Sequence, residues 1–363
     1  LQPIVLGAWF PRIPQIQATL DLSAGQLAFA LMGLPVGLFA ALAFGGRLAE
    51  ALGTRRLLTY GLITYLILMP LPAFMGSGVL LFGALALAGL ALAIAELGLN
   101  VTAAEVESRA DRLIMNGCHG FWSVGVLIGS AIGSIFAELR LAPNISLSIL
   151  SFISLIPLIY SARQITDFSV PKPDPTEGEQ KPITKPLVFI SLFGFGIAMT
   201  EGAMADWIAI FMTDIFEASP GVAGASFTVF SLFVAFGRFQ GDKLKARFGV
   251  EKLAGSFVIA ALAGLLVALF SPTIIASFIG IAFLGLGVSL GFPLAVSAAS
   301  TLPGRSSASN VAILTQMTLC GFLVGPPVIG LIAEFSSIQI GLLALSPALV
   351  MALYFSRFLR THP

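Results

Sequence analysis

The sequence predicts an all-α membrane protein of twelve helices arranged as two pseudo-symmetric halves of six. Three observations predict it: too little charge for a water-facing surface, a succession of apolar runs each of bilayer length, and a repeat at one fixed offset. Of 363 residues, 57% are hydrophobic and 10% charged, with 38 glycines and 30 phenylalanines, and the mean hydropathy is +0.98. A soluble domain of this length needs far more charge, so the chain reads as a polytopic membrane protein. The net charge of +1 carries no message about partners, because the side on which charges sit matters more than their sum. Nothing points to a nucleic-acid partner, and no G-x-x-x-x-G-K-[ST] loop is present to support an ATP-driven pump. Cys118 and Cys320 lie in apolar stretches, where a thiol acts as a small hydrophobe. No disulfide, metal or cofactor is expected.

A hydrocarbon core of ~30 Å takes about 20 apolar residues per helix. Uncharged runs between turn signals place spans near 24–44, 56–70, 79–102, 113–137, 145–162, 186–213, 222–240, 253–270, 274–302, 309–333 and 337–356. The opening "LQPIVLGAWF" is apolar but short and does not begin with Met, so it reads as the end of a truncated first helix, making twelve.

Loop charge tests the count. Assigning loops alternately to two sides puts Arg47, Arg55, Arg56, Arg109, Arg112, Arg163, Lys172, Lys181, Lys185, Arg238, Lys243, Lys245, Arg247, Lys252, Arg305, Arg357 and Arg360 on one side and only Arg12 and Arg140 on the other. Basic residues mark the cytoplasmic face, so both termini are expected there. The hydrophilic stretch "RQITDFSVPKPDPTEGEQKPITK" (residues 163–185) carries four prolines and mixed charge, which suits a linker. The expected organisation is therefore a first six-helix half at 1–163, a cytoplasmic linker at 164–185 and a second half at 186–363.

The halves repeat at an offset of 196 residues. "GGRLAEALG" (45–53) falls on "GDKLKARFG" (241–249), and "GVLIGSAIGSIFAE" (125–138) falls on "GFLVGPPVIGLIAE" (321–334). The second match pairs Gly125 with Gly321, Gly129 with Gly325 and Glu138 with Glu334. Duplicated halves of this kind point to a secondary transporter whose solute site lies at mid-membrane between them.

"GGRLAEALGTRR" (45–56) resembles the loop signature of the major facilitator superfamily, with Glu50 at the acidic position, Gly53 at the glycine and Arg55 and Arg56 as the basic pair. In the second copy Ala246 stands at the acidic position, so no carboxylate role carries over there. "GFLVGPPVIG" (321–330) looks like a glycine-proline motif of exporters in the superfamily, but it falls in the eleventh span rather than the fifth and is not read as a sign of export. A closer resemblance runs through "AWFPRIP" (8–14), "AELGLNVTAAEVE" (95–107), "NGCHGFWSVG" (116–125), "EGAMADW" (201–207), "GRFQGDKLKARFG" (237–249) and "LGFPLAVSAAS" (290–300). These stretches are similar to bacterial inner-membrane permeases of the YbjJ/MosC kind. The resemblance implies the twelve-helix facilitator fold and a small-solute transporter of the inner membrane, without supplying the solute.

Carboxylates inside a span cost at least ~2.5 kcal/mol on insertion scales and mark functional sites or buried partners. Glu201, about 22 Å into the seventh span, is the leading proton-coupling or substrate-binding group. Asp206 is about 140° further round the same helix, so it cannot share that face; it is expected to hold the outer end, with Arg12 as its pairing candidate. Glu96 and His119 sit at similar depth in the fourth and fifth spans and could form a titrating pair, with Asn100 and Asn116 adding polar groups nearby. A buried hydrogen-bond network is the plain structural alternative for all of these. Trp9, Arg12 and Trp207 mark helix ends, either as an interfacial belt or as a platform for a sugar-like solute, and Gln316 is a weaker candidate for the same cavity. The glycines recurring every four residues in the fifth and eleventh spans are read as close-packing scaffold.

The charges Glu50, Arg55, Arg56, Glu105, Glu107, Arg109, Arg112, Asp242, Arg247 and Arg305 are read as a cytoplasmic gate that pairs and separates during transport, against the plain alternative of solvated loop charge. The expected function is secondary active transport of a small polar solute by alternating access, coupled to protons, through a monomer in the lipid bilayer. The rivals are a proton-driven drug or metabolite exporter, an intramembrane enzyme built around His119, which lacks an accompanying serine or metal-ligand cluster, and a non-transporting sensor.

Overall fold

The computed structural model describes residues 1–110, 115–164 and 182–359, which are helical almost throughout. The chain divides into two compact units, Leu1–Asp174 and Pro175–Pro363. In the first unit, α1 covers residues 2–20, followed by α2 (Ala24–Leu42), α3 (Thr54–Phe74), α4 (Gly78–Ala110), α5 (Met115–Glu138) and α6 (Pro143–Gln164). In the second, α7 (Lys185–Phe216), α8 (Pro220–Phe248), α9 (Val250–Phe270), α10 (Ile274–Ser300), α11 (Ser307–Phe335) and α12 (Ile338–Phe358) follow.

Eleven of these helices are long and apolar enough to cross a membrane, in the positions expected from the uncharged runs. The twelfth, α1, runs on to Leu20 and is interrupted by a 3-10 turn at Phe10–Arg12. Pro11 and Pro14 lack the N–H groups that would close α-helical bonds to Gly7 and Phe10, and the backbone tightens there instead. Trp9 and Arg12 therefore stand inside the helix rather than where it ends, which corrects their expected place. Large apolar side chains such as Phe121, Ile156 and Phe335 point outward on the helices, as a lipid-facing surface requires.

Each unit pairs its helices in the same way. α1 packs on α5, α2 on α4, and α3 on α4 and α6; correspondingly α7 packs on α11, α8 on α10, and α9 on α10 and α12. The repeat extends to individual contacts. A Cβ added at Gly89 in α4 would meet the Leu34 carbonyl at 2.1 Å, and one added at Gly285 in α10 would meet the Phe230 carbonyl at 2.5 Å. Both positions of the first contact lie 196 residues before those of the second. The glycines of α5 serve the close approach to α1: Gly129 lies against Ile4 and Gly133 against Ala8, while in α11 Gly321 and Gly325 lie against Phe195 and Met199 of α7. Gly53 and Gly249, also 196 apart, hold φ of +74° and +76° at the starts of α3 and α9, a conformation closed to residues with a Cβ.

Candidate functional site

In the second unit, charged side chains of α7 and α8 meet beside an interruption of α10. α10 breaks between Ile274–Val288 and Gly291–Ser300. Pro293 explains the break: it has no N–H to donate to the carbonyl of Ser289 four residues earlier. Arg238 in α8 supplies a donor in its place, with Nε 3.3 Å from the Ser289 carbonyl oxygen. The same guanidinium donates from Nη2 to Oε1 of Glu201 at 2.9 Å. Arg238 and Glu201 are each about one-fifth exposed, so the pair is half-buried rather than sealed.

The approach of α8 to the break depends on small residues. A Cβ at Gly237 would meet Ser289 Oγ at 2.1 Å, and one at Gly241 would meet the Leu290 side chain at 2.7 Å. α7 closes the other side, where a Cβ on Gly291 would meet Ile197 at 2.6 Å. Two turns beyond Arg238, Lys245 Nζ donates to Ser297 Oγ at 2.6 Å, so α8 bonds α10 at the break and again within its second half.

The carboxylate of the first unit is differently held. Trp122 in α5 donates its indole N–H to Glu96 Oε1 at 3.1 Å. The buried amide of Gln2 in α1 lies beside the same carboxylate. The hydroxyl of Tyr65 in α3, fully buried, is without a hydrogen-bond partner among the described residues. Four helices thus bring Gln2, Tyr65, Glu96 and Trp122 together. The expected partner, His119, lies one turn before Trp122; its side chain and that of Asn116 are outside the described residues. Asn100, one turn after Glu96, is exposed.

Arg12 is completely buried; its Nη2 donates to the carbonyl of Leu141, while Nε and Nη1 have no hydrogen-bond partner among the described residues. Trp9 is buried beside it in α1. Trp207 is fully buried and donates its indole N–H to the carbonyl of Pro326 in α11 at 3.1 Å. Neither tryptophan has the exposed ring that an interfacial belt requires. Asp206 is half-buried and forms no ion pair or hydrogen bond among the described residues. Gln316 is exposed on α11.

Among the charges read as a gate, Arg109 donates to Glu105 at 2.7 Å one helical turn away, and Arg305 donates to Ser309 at 2.7 Å at the start of α11. Glu50, Arg55, Arg56, Asp242 and Arg247 are exposed and Glu107 is half-buried; Arg112 lies outside the described residues. Arg238 needs a correction. Read with the loop charges, it is instead a helix residue ten positions before the end of α8, bound to Glu201. The signal was present in the sequence, because residue 238 falls inside the run 222–240 taken as a span.

The arrangement is one of half-buried ionic and hydrogen-bonding groups at helix breaks inside apolar bundles, the kind of place where a membrane protein binds ions or polar solutes. Relatives match it over most of its length, and solved structures share its fold. An uncharacterized MFS-type transporter of Yersinia pestis is 28% identical over 92% of this chain and 87% of its own. The membrane protein MosC of Rhizobium meliloti is 26% identical over 91% of this chain and 81% of its own. Among solved structures, the nucleoside transporter NupG superposes with a TM-score of 0.79 at 14% identity, covering 99% of this chain and 97% of that one. The fucose:proton symporter FucP of E. coli does so with a TM-score of 0.63 at 16% identity, covering 99% and 98%. The Major Facilitator Superfamily profile matches residues 4–205 and 189–363. Nearly the whole chain is accounted for by these matches and by the doubled helix pairing, and the protein is a multi-pass membrane transporter belonging to the Major Facilitator Superfamily.

Proposed function

We propose that the protein moves a small polar, sugar- or polyol-like solute across the bacterial inner membrane by alternating access, coupled to protons. The observation that carries this reading is Glu201, a carboxylate within the apolar length of α7, one-fifth exposed and held by Arg238. A pair of this kind offers an acceptor and a donor fork to hydroxyl groups, and intramembrane carboxylates are the groups that serve proton relays in transporters. In the first unit, Glu96 with Gln2, Tyr65 and Trp122 forms a second polar group suited to carrying a proton. The names of the structural neighbours, a nucleoside transporter and a fucose:proton symporter, support a hydroxylated solute and proton coupling.

In this reading the protein works as a monomer with both termini in the cytoplasm, residues 164–185 link the two halves, and the gate charges Glu50, Arg55, Arg56, Glu107, Arg109, Arg112, Asp242, Arg247 and Arg305 pair and separate as the cytoplasmic side closes and opens. Arg12, Trp9, Asp206 and Trp207 support the far end of the pathway, with Asn100, Asn116, His119 and Gln316 as further polar contacts.

The test is solute-driven proton movement. Vesicles containing the protein and a trapped pH-sensitive dye are challenged with sugars, polyols, nucleosides and amino acids in turn. Acidification of the lumen by a hydroxylated solute, absent from protein-free vesicles, supports the reading. Solute accumulation without any proton movement would overturn the coupling, and movement of lipophilic cations alone would overturn the solute class.

A further inference from the structure

The guanidinium of Arg238 touches two things that otherwise have no connection: the carboxylate of Glu201 in α7 and the backbone carbonyl that Pro293 leaves without a helical donor in α10. We propose that Arg238 is a positioning residue that transmits the state of Glu201 to the break in α10, releasing the segment Gly291–Ser300 when the carboxylate no longer holds it. The proposal deepens the transport reading of the preceding section and rests on it for its purpose, but not for its test.

An α-helix that loses a bond to proline bends freely unless another donor takes the orphaned carbonyl. A charged donor makes a stronger bond than a neutral one, so Arg238 fixes the hinge firmly as long as its own direction is fixed. Glu201 fixes that direction through the charge-assisted bond from Nη2 to Oε1 at 2.9 Å. Removing the carboxylate's charge, or engaging it with hydroxyls of a solute, removes the reason for the fork to stay in place. The segment is also held by Lys245 on Ser297 and by packing of Gly291 on Ile197 of α7, attachments beyond the orphaned carbonyl that act as a pivot about the break. Gly237 and Gly241 bring the α8 backbone directly against Ser289 and Leu290, which places the Arg238 guanidinium at the break.

Few other charges compete for Glu201 from the helices packed on α7. α10 carries no charged residue, α11 carries only Glu334 at its end, α12 carries only Arg357 at its end, and α8 carries Asp242, Lys243, Lys245 and Arg247 beyond Arg238. Arg238 is the charged residue of these helices that the structure places on the Glu201 carboxylate.

The experiment is backbone hydrogen exchange, read by mass spectrometry on the full chain in lipid nanodiscs without solute. Peptides covering Gly291–Ser300 report the hinge and peptides from α9 report the fold. Glu201→Gln is expected to speed exchange at Gly291–Ser300 by about tenfold, the effect of losing one charge-assisted hydrogen bond, with α9 unchanged. In an Arg238→Gln background, where exchange is already raised, Glu201→Gln is expected to add nothing. That lack of additivity marks one path through Arg238, whereas two separate structural effects would multiply. If α9 shows that Arg238→Gln disturbs the fold, Arg238→Lys replaces it in the cycle, and Glu201→Gln must again add less than it does beside the native arginine. An unchanged hinge in Glu201→Gln, or independent effects that multiply, would overturn the proposal. Failure to find any transported solute would overturn the functional reading while leaving this result standing.

Discussion

Arg238 Nη2 lies 2.9 Å from Glu201 Oε1, joining α8 to α7 within the apolar length of both helices. The relationship makes the carboxylate of "EGAMADW" intelligible: it enters the bundle with its countercharge, and that countercharge also closes a proline-broken helix. Removing one partner of such a pair leaves the other uncompensated, which is costlier than removing both.

Thermal stability should therefore follow charge balance. Glu201→Gln and Arg238→Gln each lower the unfolding temperature in detergent, by an amount corresponding to about 1–3 kcal/mol for a pair that is still partly solvated. The double variant should unfold later than Arg238→Gln alone. Unfolding followed by intrinsic fluorescence measures this, and a double variant less stable than both singles would contradict it.

Helix packing in the first unit should depend on which glycine is changed. Gly129→Ala places a Cβ 1.9 Å from the Ile4 carbonyl, whereas Gly83→Ala meets nothing within 4 Å. Gly129→Ala is expected to cost about 1–3 kcal/mol through overpacking and to reduce the yield of monodisperse protein. Gly83→Ala should match the wild type on the same size-exclusion trace.

Trp207 should matter as an anchor. Its indole N–H donates to the Pro326 carbonyl, so Trp207→Phe, which keeps most of the ring but not the donor, is expected to destabilise the second unit by about 1 kcal/mol. A solute-stacking role would show a change in solute affinity at unaltered stability, and comparing melting temperature with apparent affinity separates the two.

Charge reversal at Arg55 tests the gate. Arg55→Glu is expected to lower the transport rate severalfold. Uptake rates matched for protein content measure this. A single variant with wild-type uptake would assign these residues to ordinary solvated charge.

The spans and the duplication were legible in the sequence because bilayer length and glycine spacing are local properties of a chain. Gly89 and Gly285 occupy corresponding contacts for that reason. The partners of the buried carboxylates were not. Glu96 accepts from Trp122, a contact that sequence spacing alone does not single out, because a neighbour across two antiparallel helices depends on rotation as well as depth. Arg238 was hidden by the assumption that arginine near a span's end belongs to the loop; α8 continues as a helix through Phe248 and keeps the side chain inside. The burial of Arg12 is a consequence of α1 running past Pro11 and Pro14 to Leu20, which proline positions alone do not announce.

The most direct test of the central claim is the transport current of proteoliposomes on a solid-supported sensor, recorded for pools of sugars, polyols, amino acids and organic acids with wild type and Glu201→Gln. The account predicts a current from a hydroxylated pool that disappears in the variant. A current of undiminished size in Glu201→Gln would contradict it and reduce the Glu201–Arg238 pair to a structural tie.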